Sequence, residues 1–422
     1  MKESNPQWPV IRKFIFLLLA LYTFFYIFPF PLDAVPQLNF IFNPYGRVHD
    51  GLVYKVAKSI FHIANARKLP FSDSGDTTFD YASALVFFLL SFIIGIIVLL
   101  TDKKRTNYEQ LQRWLFLYVR YAVAFYMLVY GFDKVFKSHF PFPSLEKLQQ
   151  PVGQSTPQGL LWAFMGYSTP YSMYLGWIEV LSGFLLFFRR TTAPGAFLAL
   201  VIMINITVIN FSYDVPVKLF ALHMVAYCLF LSYPFARSVF DFFILHKLTS
   251  LAVIPEPKFP AFILPCKKWI KGILICGFTA LFMSFSIENM RTDGDQAPKP
   301  PLFGIYKASA FQMTDVPVRD LKNAPEIFNE IIFDRKNTII ITDQDTLFYE
   351  TFTDTTGKRI LFRRNSDQRS IFSWNYELNG NELILRGSRP HDFELRFIKT
   401  DLNSLPLLSR KFHWVVEYPY NN

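Results

Sequence analysis

Charged side chains are scarce in this sequence: Asp, Glu, Lys and Arg together make up 18% of its 422 residues, against about 25% in a typical soluble domain. Apolar residues reach 51% and aromatic residues 18%, which excludes a disordered chain. Three cysteines are too few for a disulfide-rich secreted module, and 18 glycines are too few for a collagen-like fibre. The composition therefore indicates an integral membrane protein.

Histidine is also rare, with seven residues in the chain, and this limits metal and haem chemistry. His223 is the one histidine in a predicted span, whereas bis-histidine haem ligation needs a pair. His391 and His413 stand apart in the polar part of the chain, so we predict no metal site. The sequence has no phosphate loop, Ser-His-Asp arrangement or metalloprotease motif, and we expect no enzyme activity from this chain on its own.

Long apolar runs occupy the first two thirds of the sequence. Seven of them approach the roughly 20 residues that a helix needs to cross a bilayer; they cover residues 11–30, 81–100, 114–132, 171–188, 193–211, 217–233 and 269–286. No small-residue cleavage site follows the first run, so we expect an uncleaved anchor there. Residues 46–68 predict a helix in the loop that follows, which packs on the rest of the protein or, alternatively, lies on the membrane surface.

Lys and Arg are distributed unevenly around these runs. With the N-terminus in the cytoplasm, the inner segments hold 15 basic residues and the longer outer segments hold 9, in agreement with the positive-inside rule. Seven spans in a bacterial inner membrane then place the C-terminal part in the periplasm. Cys228, Cys266 and Cys276 lie in spans or at their inner edge, so we expect no exported disulfide. The net charge of +10 belongs to the membrane part, which favours anionic lipid over nucleic acid as a partner.

The sequence divides into five parts. Residues 1–112 carry the first two spans, and residues 113–236 form a four-helix membrane unit. An inner loop and the seventh span follow at 237–287. Residues 288–300 are a linker rich in proline and charge, and residues 301–422 are an outer domain. The predicted fold is an α-helical membrane protein of about seven spans with a C-terminal all-β domain.

The outer domain shows the alternation of apolar and polar residues that is typical of strands with one wet face. Asn379-Gly380 separates two such runs and predicts a hairpin. We expect about nine strands, the last over 411–417, in an antiparallel meander that closes into a barrel or sandwich. The start at Gly304-Ile305-Tyr306 resembles that of lipocalin-type barrels. We expect the aromatic inner face to be packed core, with a ligand cavity as the alternative.

Polar residues inside predicted spans are costly and are therefore functional candidates. Arg120 and Glu179 lie at similar predicted depths in spans three and four, and we expect them to form an ion pair. The pair is either structural or serves a substrate or proton. We expect His223 to hydrogen-bond a neighbouring helix, with a ligand role as the alternative. The remaining polar candidates in the same unit are Lys134, Asn205, Asn210, Asp214 and Lys218.

Residues 115–233 combine several motifs in a fixed order over four predicted helices. These are Arg120-Tyr121, Gly131-Phe132-Asp133-Lys134, Trp177-Ile178-Glu179 with Gly183, Arg189-Arg190-Thr191-Thr192 and Asp214-Val215-Pro216-Val217-Lys218. This stretch resembles the DoxX family, whose relatives include DoxD and MauE. The resemblance implies a four-helix membrane bundle and a role as an accessory subunit of a redox system. Two earlier spans, one later span and the β-domain are additions to the family's pattern.

Three functions remain open. The first is an accessory subunit of a quinone-linked or other redox system. In this function we expect the chain to bind no haem or metal, and a quinone is the one cofactor that the sequence leaves open. The second is an envelope protein whose β-domain binds a lipid, a peptide or a protein partner while the membrane half acts as an anchor. The third is a small-solute transporter, which the absence of an evident inverted repeat disfavours.

The predicted topology can be tested by labelling single introduced cysteines with a membrane-impermeant maleimide in intact spheroplasts. We expect labelling at position 388 in the β-domain and none at position 107 in the inner loop, because the basic residues cluster on the side of position 107. Labelling at position 107 with protection at position 388 would show that the orientation is the opposite of the predicted one.

Overall fold

The computed structural model describes residues 7–60, 62, 74–313, 328–342, 345–364, 371–387, 393–410 and 412–416. The chain forms two compact units. The helical unit comprises Met1–His139 and Pro170–Ile287, and the barrel unit comprises Phe140–Thr169 and Glu288–Asn422. The sequence analysis assigned residues 140–169 to the four-helix membrane unit, whereas the structure groups this segment with the barrel.

Helices account for most of the chain before residue 293. They are α1 Val10–Ile27, α2 Asn39–Ile60, α3 Thr78–Thr101, α4 Glu109–Val135, α5 Leu145–Gln149, α6 Pro157–Tyr167, α7 Thr169–Phe187, α8 Thr192–Ser212, α9 Lys218–Phe243 and α10 Lys267–Thr292. Six helices of the described chain, α1, α3, α4, α8, α9 and α10, are long and apolar enough to cross a membrane. This set indicates a multi-pass membrane protein. Helix α7 is not in this set, so the fourth predicted span, and with it the total of seven, stays a prediction.

Helix α2 packs on α3, as the sequence analysis expected of the helix in the first loop. The helix begins at Asn39, seven residues before the predicted start, and the part of the prediction beyond Ile60 lies outside the described residues except for His62. Val53 and Ala57 are its fully buried residues, in contact with the Phe79 side of α3. Val48 and Ile60 of the same helix are exposed.

The core of the helical unit contains side chains of α1, α4, α7, α8, α9 and α10, and aromatic rings connect α4, α7 and α10 within it. The ring of Phe125 in α4 lies 5.0 Å from that of Phe187 in α7 and 5.2 Å from that of Phe278 in α10, measured between centroids. Contacts at this distance stabilise helix packing where lipid provides no hydrophobic drive between helices. Helix α10 is therefore packed against α4 and the aromatic residues at the end of α7.

The β-domain is a closed barrel of eight strands in which every neighbouring pair is antiparallel and follows sequence order. The strands are β1 Gly304–Met313, β2 Phe328–Phe333, β3 Thr338–Thr342, β4 Thr346–Asp354, β5 Arg359–Arg364, β6 Ile371–Asn379, β7 Glu382–Gly387 and β8 Phe393–Lys399. Closure of the barrel by β1 and β8 removes the open edges that a meander would otherwise expose. The predicted barrel alternative is the one that forms.

The predicted hairpin at Asn379-Gly380 is confirmed, and one predicted strand was wrong. Gly380 has φ +63° in the turn between β6 and β7, a conformation that glycine adopts without a steric cost. The Asp354 carboxylate accepts hydrogen bonds from the backbone of Thr356 and Gly357 in the turn between β4 and β5. The ninth strand is absent, because residues 412–416 are irregular and β8 already pairs with β1.

Aromatic rings fill the interior of the described barrel. Trp374 lies 4.9 Å from Phe362 and 5.3 Å from Phe393 between ring centroids, and Tyr306 and Phe333 are fully buried beside them. This packing supports the interpretation of the aromatic inner face as core.

A short helix from the segment before α7 covers part of the barrel's outer surface. Leu145 of α5 is buried against Ile305, Ile332 and Ile339, and its backbone N–H donates to the Asp334 carboxylate at 2.7 Å. Three buried isoleucines on an outer barrel face are unusual for strands with one wet side. Helix α5 explains them, because it removes this apolar patch from water.

We expect residues 288–422, expressed alone, to fold as a barrel. A peptide of residues 140–169 should raise the melting temperature of this barrel. Covering the isoleucine patch restores burial of about 1.5–3 kcal/mol per large apolar side chain. Melting followed by circular dichroism tests this, with a Leu145→Asp peptide as the matched control that should not stabilise. Equal melting temperatures with both peptides would show that α5 does not stabilise the barrel.

Candidate functional site: a basic cavity in the helical unit

Helices α4 and α7 are antiparallel and approach at glycines. A Cβ atom added to Gly176 would lie 2.6 Å from the carbonyl oxygen of Gly131, and one added to Gly183 would lie 2.8 Å from that of Ala124. Neither distance leaves room for a side chain, so the two backbones are in direct contact. These contacts fix the register of the two helices and place Glu179 level with Leu128 of α4.

Glu179 forms a buried ion pair with Lys134. The Lys134 ammonium donates to both carboxylate oxygens, at 2.6 and 2.8 Å, and the two residues are 7% and 3% exposed. Ser172 of α7 donates to the backbone carbonyl of Lys134 at 3.1 Å, one turn of α4 away from the contact at Gly131. Two predicted candidates, Lys134 and Glu179, are therefore brought together.

The predicted Arg120–Glu179 pair was wrong, and the direction of side chains on antiparallel helices explains why. Side chains lean towards the N-terminus of their own helix. Lys134 on α4 and Glu179 on α7 therefore lean towards each other, whereas Arg120 leans away from Glu179. In addition, α4 begins five residues before the predicted span, and Arg120 lies about 12 Å along α4 from the level of Glu179.

Other polar groups satisfy one another around the C-terminal end of α4. The Asp133 carboxylate accepts from Ser286 of α10 at 2.6 Å and from Ser138 at 2.9 Å. His139 lies just after α4, where loss of hydration, together with nearby Lys134, lowers its pKa to about 3. The imidazole is therefore neutral at physiological pH, and Lys134 is the cation that balances Glu179.

Three of the remaining predicted residues, His223, Asp214 and Lys218, form a second group with structural contacts. His223 stacks on Tyr26 at 3.8 Å and hydrogen-bonds the Tyr22 hydroxyl of α1 at 2.7 Å, as expected for a bond to a neighbouring helix. Lys218 pairs with Asp214 at 2.8 Å.

Three further residues complete the account of this region. The sequence analysis missed Asp76, whose carboxylate accepts from the backbone N–H groups of residues 218 and 219 at 2.7 and 2.9 Å and so caps α9. Asn210 is buried, and its backbone carbonyl accepts from the N–H of Val215 at 2.9 Å. Asn205 is exposed and joins neither group.

Arg120 is in neither of these groups and lines a cavity of about 760 Å³ in the helical unit. Aromatic and aliphatic side chains of α4, α9 and α10 form much of its wall. Its basic residues are Arg113, Arg120, Arg189, Arg190, Lys267 and Lys271, and Glu256 is the one carboxylate among its lining residues. The sequence analysis counted all of these basic residues except Arg120 for topology, and it did not expect the six to converge.

Arg120 is the most deeply placed of these cations. It is 8% exposed, its guanidinium donates to the Thr192 hydroxyl at 3.2 Å, and it lies 5.4 Å from the ring centroid of Tyr121. Its Nε has no hydrogen-bond partner within the described structure. The guanidinium also has no carboxylate partner among the described residues, and burial of a cation without one is costly.

Residues 251–259, which we call the cavity strap, belong to the loop between α9 and α10 and line the cavity. Arg189 donates to the carbonyl of Ile254 at 2.6 Å, and the ring of Phe259 lies 4.9 Å from that of Trp114 in α4. Glu256 forms an ion pair with Lys267 and lies 3.9 Å from Arg189. These contacts, led by the hydrogen bond from Lys267, lower the pKa of Glu256, so the strap carries a negative charge into the basic cluster.

Comparison with known proteins gives one informative relationship. The chain is 33% identical over 112 residues to the uncharacterized protein YwoB of Bacillus subtilis strain 168. The alignment covers 26% of this chain and 71% of that protein. No family model matches the chain, and no solved structure matches it.

We expect Lys134→Met and Glu179→Gln each to destabilise the protein in detergent by about 3–5 kcal/mol, because each leaves one buried charge without its partner. The double variant should lose less than the two single losses combined. The matched control is Arg120→Met with Glu179→Gln, whose effects should add within about 0.5 kcal/mol. Thermal unfolding of the purified variants measures all of these, and coupling in the control but not in the Lys134 cycle would contradict the assignment.

Proposed function

This chain belongs to the same family as the YwoB protein of Bacillus subtilis, and we propose that it binds an amphipathic molecule of the membrane in the cavity of its helical unit. The observation that carries this proposal is the cavity itself. Its volume of about 760 Å³ lies within the range of about 300–1,000 Å³ that ligand sites occupy. Its apolar walls suit a hydrocarbon chain, and its cluster of cations suits a polar head.

We place the protein in a bacterial inner membrane with the cavity on the cytoplasmic side. The cavity's basic residues include Arg113, Arg189, Arg190, Lys267 and Lys271, all in or next to segments that the positive-inside rule assigns to the cytoplasm. In this proposal helix α7 also crosses the membrane, as the fourth span along the chain, and brings the number of spans to seven. Its ionised Glu179 is compensated by Lys134, which offsets the cost of the carboxylate in the membrane. The barrel then lies in the periplasm.

The resemblance to DoxX proteins supports a role as an accessory subunit. In this proposal the helical unit holds an amphiphile for a redox or envelope partner, and the chain performs no catalysis of its own. The packed aromatic interior of the barrel, with Trp374 against Phe362 and Phe393, favours the helical unit over the barrel as the ligand site. The barrel is then available for contact with a protein partner.

We expect the protein, purified from membranes in a mild detergent, to retain an amphiphile at close to one molecule per chain. Ala252→Trp should remove it, because Ala252 belongs to the cavity strap and lines the cavity. The matched control is Ala261→Trp, which changes an exposed alanine of the same loop outside the cavity lining. Native mass spectrometry and solvent extraction measure the occupancy, and equal retention by both variants would place the ligand elsewhere.

A further inference from the structure

The cations that line the cavity greatly outnumber the carboxylates. Six lining residues are basic and one is acidic. Glu256 interacts with Lys267 and Arg189, while Arg113 lies 3.9 Å from Glu109 outside the lining. Among the residues that the structure describes, Arg120, Arg190 and Lys271 form no ion pair with a carboxylate. The cavity therefore has a surplus of positive charge.

The N–H groups of these three cations suit an oxyanion with several hydrogen-bond acceptor atoms. Arg120 lines the cavity, and planar guanidinium groups bind phosphate through paired N–H donors. The Lys271 ammonium donates to the carbonyl of Phe187 at 2.7 Å and lies 5.1 Å from the ring centroid of Phe188. A neutral head such as a quinone would offer carbonyl acceptors but would leave the charge unbalanced.

The opposite part of the lining is apolar. Phe116, Phe125, Leu274 and Phe278 belong to the same cavity as the basic residues. A free inorganic anion would leave these walls unused, whereas an acyl or isoprenyl chain would bury apolar surface on them. The two halves of the lining together match a molecule with a charged head and a hydrocarbon tail.

We propose, on the basis of the cavity function above, that the ligand is an anionic lipid whose phosphate group is held by Arg120, Arg190 and Lys271 while its chain lies on the aromatic wall. Glu256 competes with this phosphate, because the cavity strap holds its carboxylate against Lys267 and near Arg189. Neutralising Glu256 should therefore strengthen binding. Removal of a cation should weaken it.

The test is titration of the purified full-length protein with dioctanoyl phosphatidylglycerol, followed by calorimetry in a non-ionic detergent. We expect Arg120→Gln to weaken binding about tenfold or more, as for loss of a charge-assisted hydrogen bond. Arg190→Gln should also weaken binding, and because Arg190 is exposed it serves if Arg120→Gln fails to fold. Glu256→Gln should tighten binding several-fold.

Arg237→Gln is the matched control, because Arg237 is basic, 94% exposed in its side chain and outside the cavity lining. The affinity of this variant for the lipid should equal that of the unmodified protein. Inorganic phosphate should bind far more weakly than the lipid, since it cannot use the apolar wall. Equal binding of phosphate and lipid would overturn the lipid assignment. Weaker binding by Glu256→Gln would overturn the competition.

Decylubiquinone separates failure of this inference from failure of the proposed function. If decylubiquinone binds in a way that Ala252→Trp abolishes, and phosphatidylglycerol does not bind, the cavity function stands and the anionic assignment is wrong. If neither probe binds and no amphiphile is purified with the protein, the proposed function itself is wrong. Binding of the lipid with an unchanged affinity in Arg120→Gln and Arg190→Gln would place the phosphate elsewhere.

Discussion

The direct contact between the backbones of α4 and α7 is the constraint on which the helical unit depends. Gly131, Gly176 and Gly183 leave no room for side chains between these helices, so their register is fixed. That register, with the lean of side chains towards each helix N-terminus, brings Lys134 within 2.6 Å of Glu179. The pair satisfies two charges that lipid could not solvate, and it ties α4 to α7 at the same place as the glycines.

The same register explains the cavity at the other end of α4. Because α4 extends beyond the last turn of α7, Arg120 lies near Thr192 at the start of α8, and the turn between α7 and α8 brings Arg189 and Arg190 to the cavity. Basic residues from α4, from the turn after α7 and from α10 thus line a single cavity. The buried pair and the cavity lie at different levels of α4.

Two features stabilise the barrel unit: the pairing of its first and last strands, and the helix α5 that covers one outer face. Pairing of β1 with β8 leaves no open edge, and the core inside is aromatic. Its outer isoleucines are buried by Leu145, which comes from a segment more than 150 residues earlier in the chain. The alternating pattern in the strands predicted both the barrel and its packed core, but it gave no sign that a distant helix completes the outer surface.

The sequence by itself determined the features that depend on neighbouring residues. Apolar runs predicted the membrane helices, alternation predicted the strands, and Asn379-Gly380 predicted a hairpin whose glycine has a positive φ. The tertiary structure alone decided the partner of Glu179, the isolation of Asn205, the absence of a strand at 412–416 and the cavity around Arg120. These features depend on where helices begin, how two helices align and which strands pair. A shift of a few residues in a helix start moves a side chain by several ångströms and around the helix, so local patterns cannot determine contacts between segments that lie far apart in the chain.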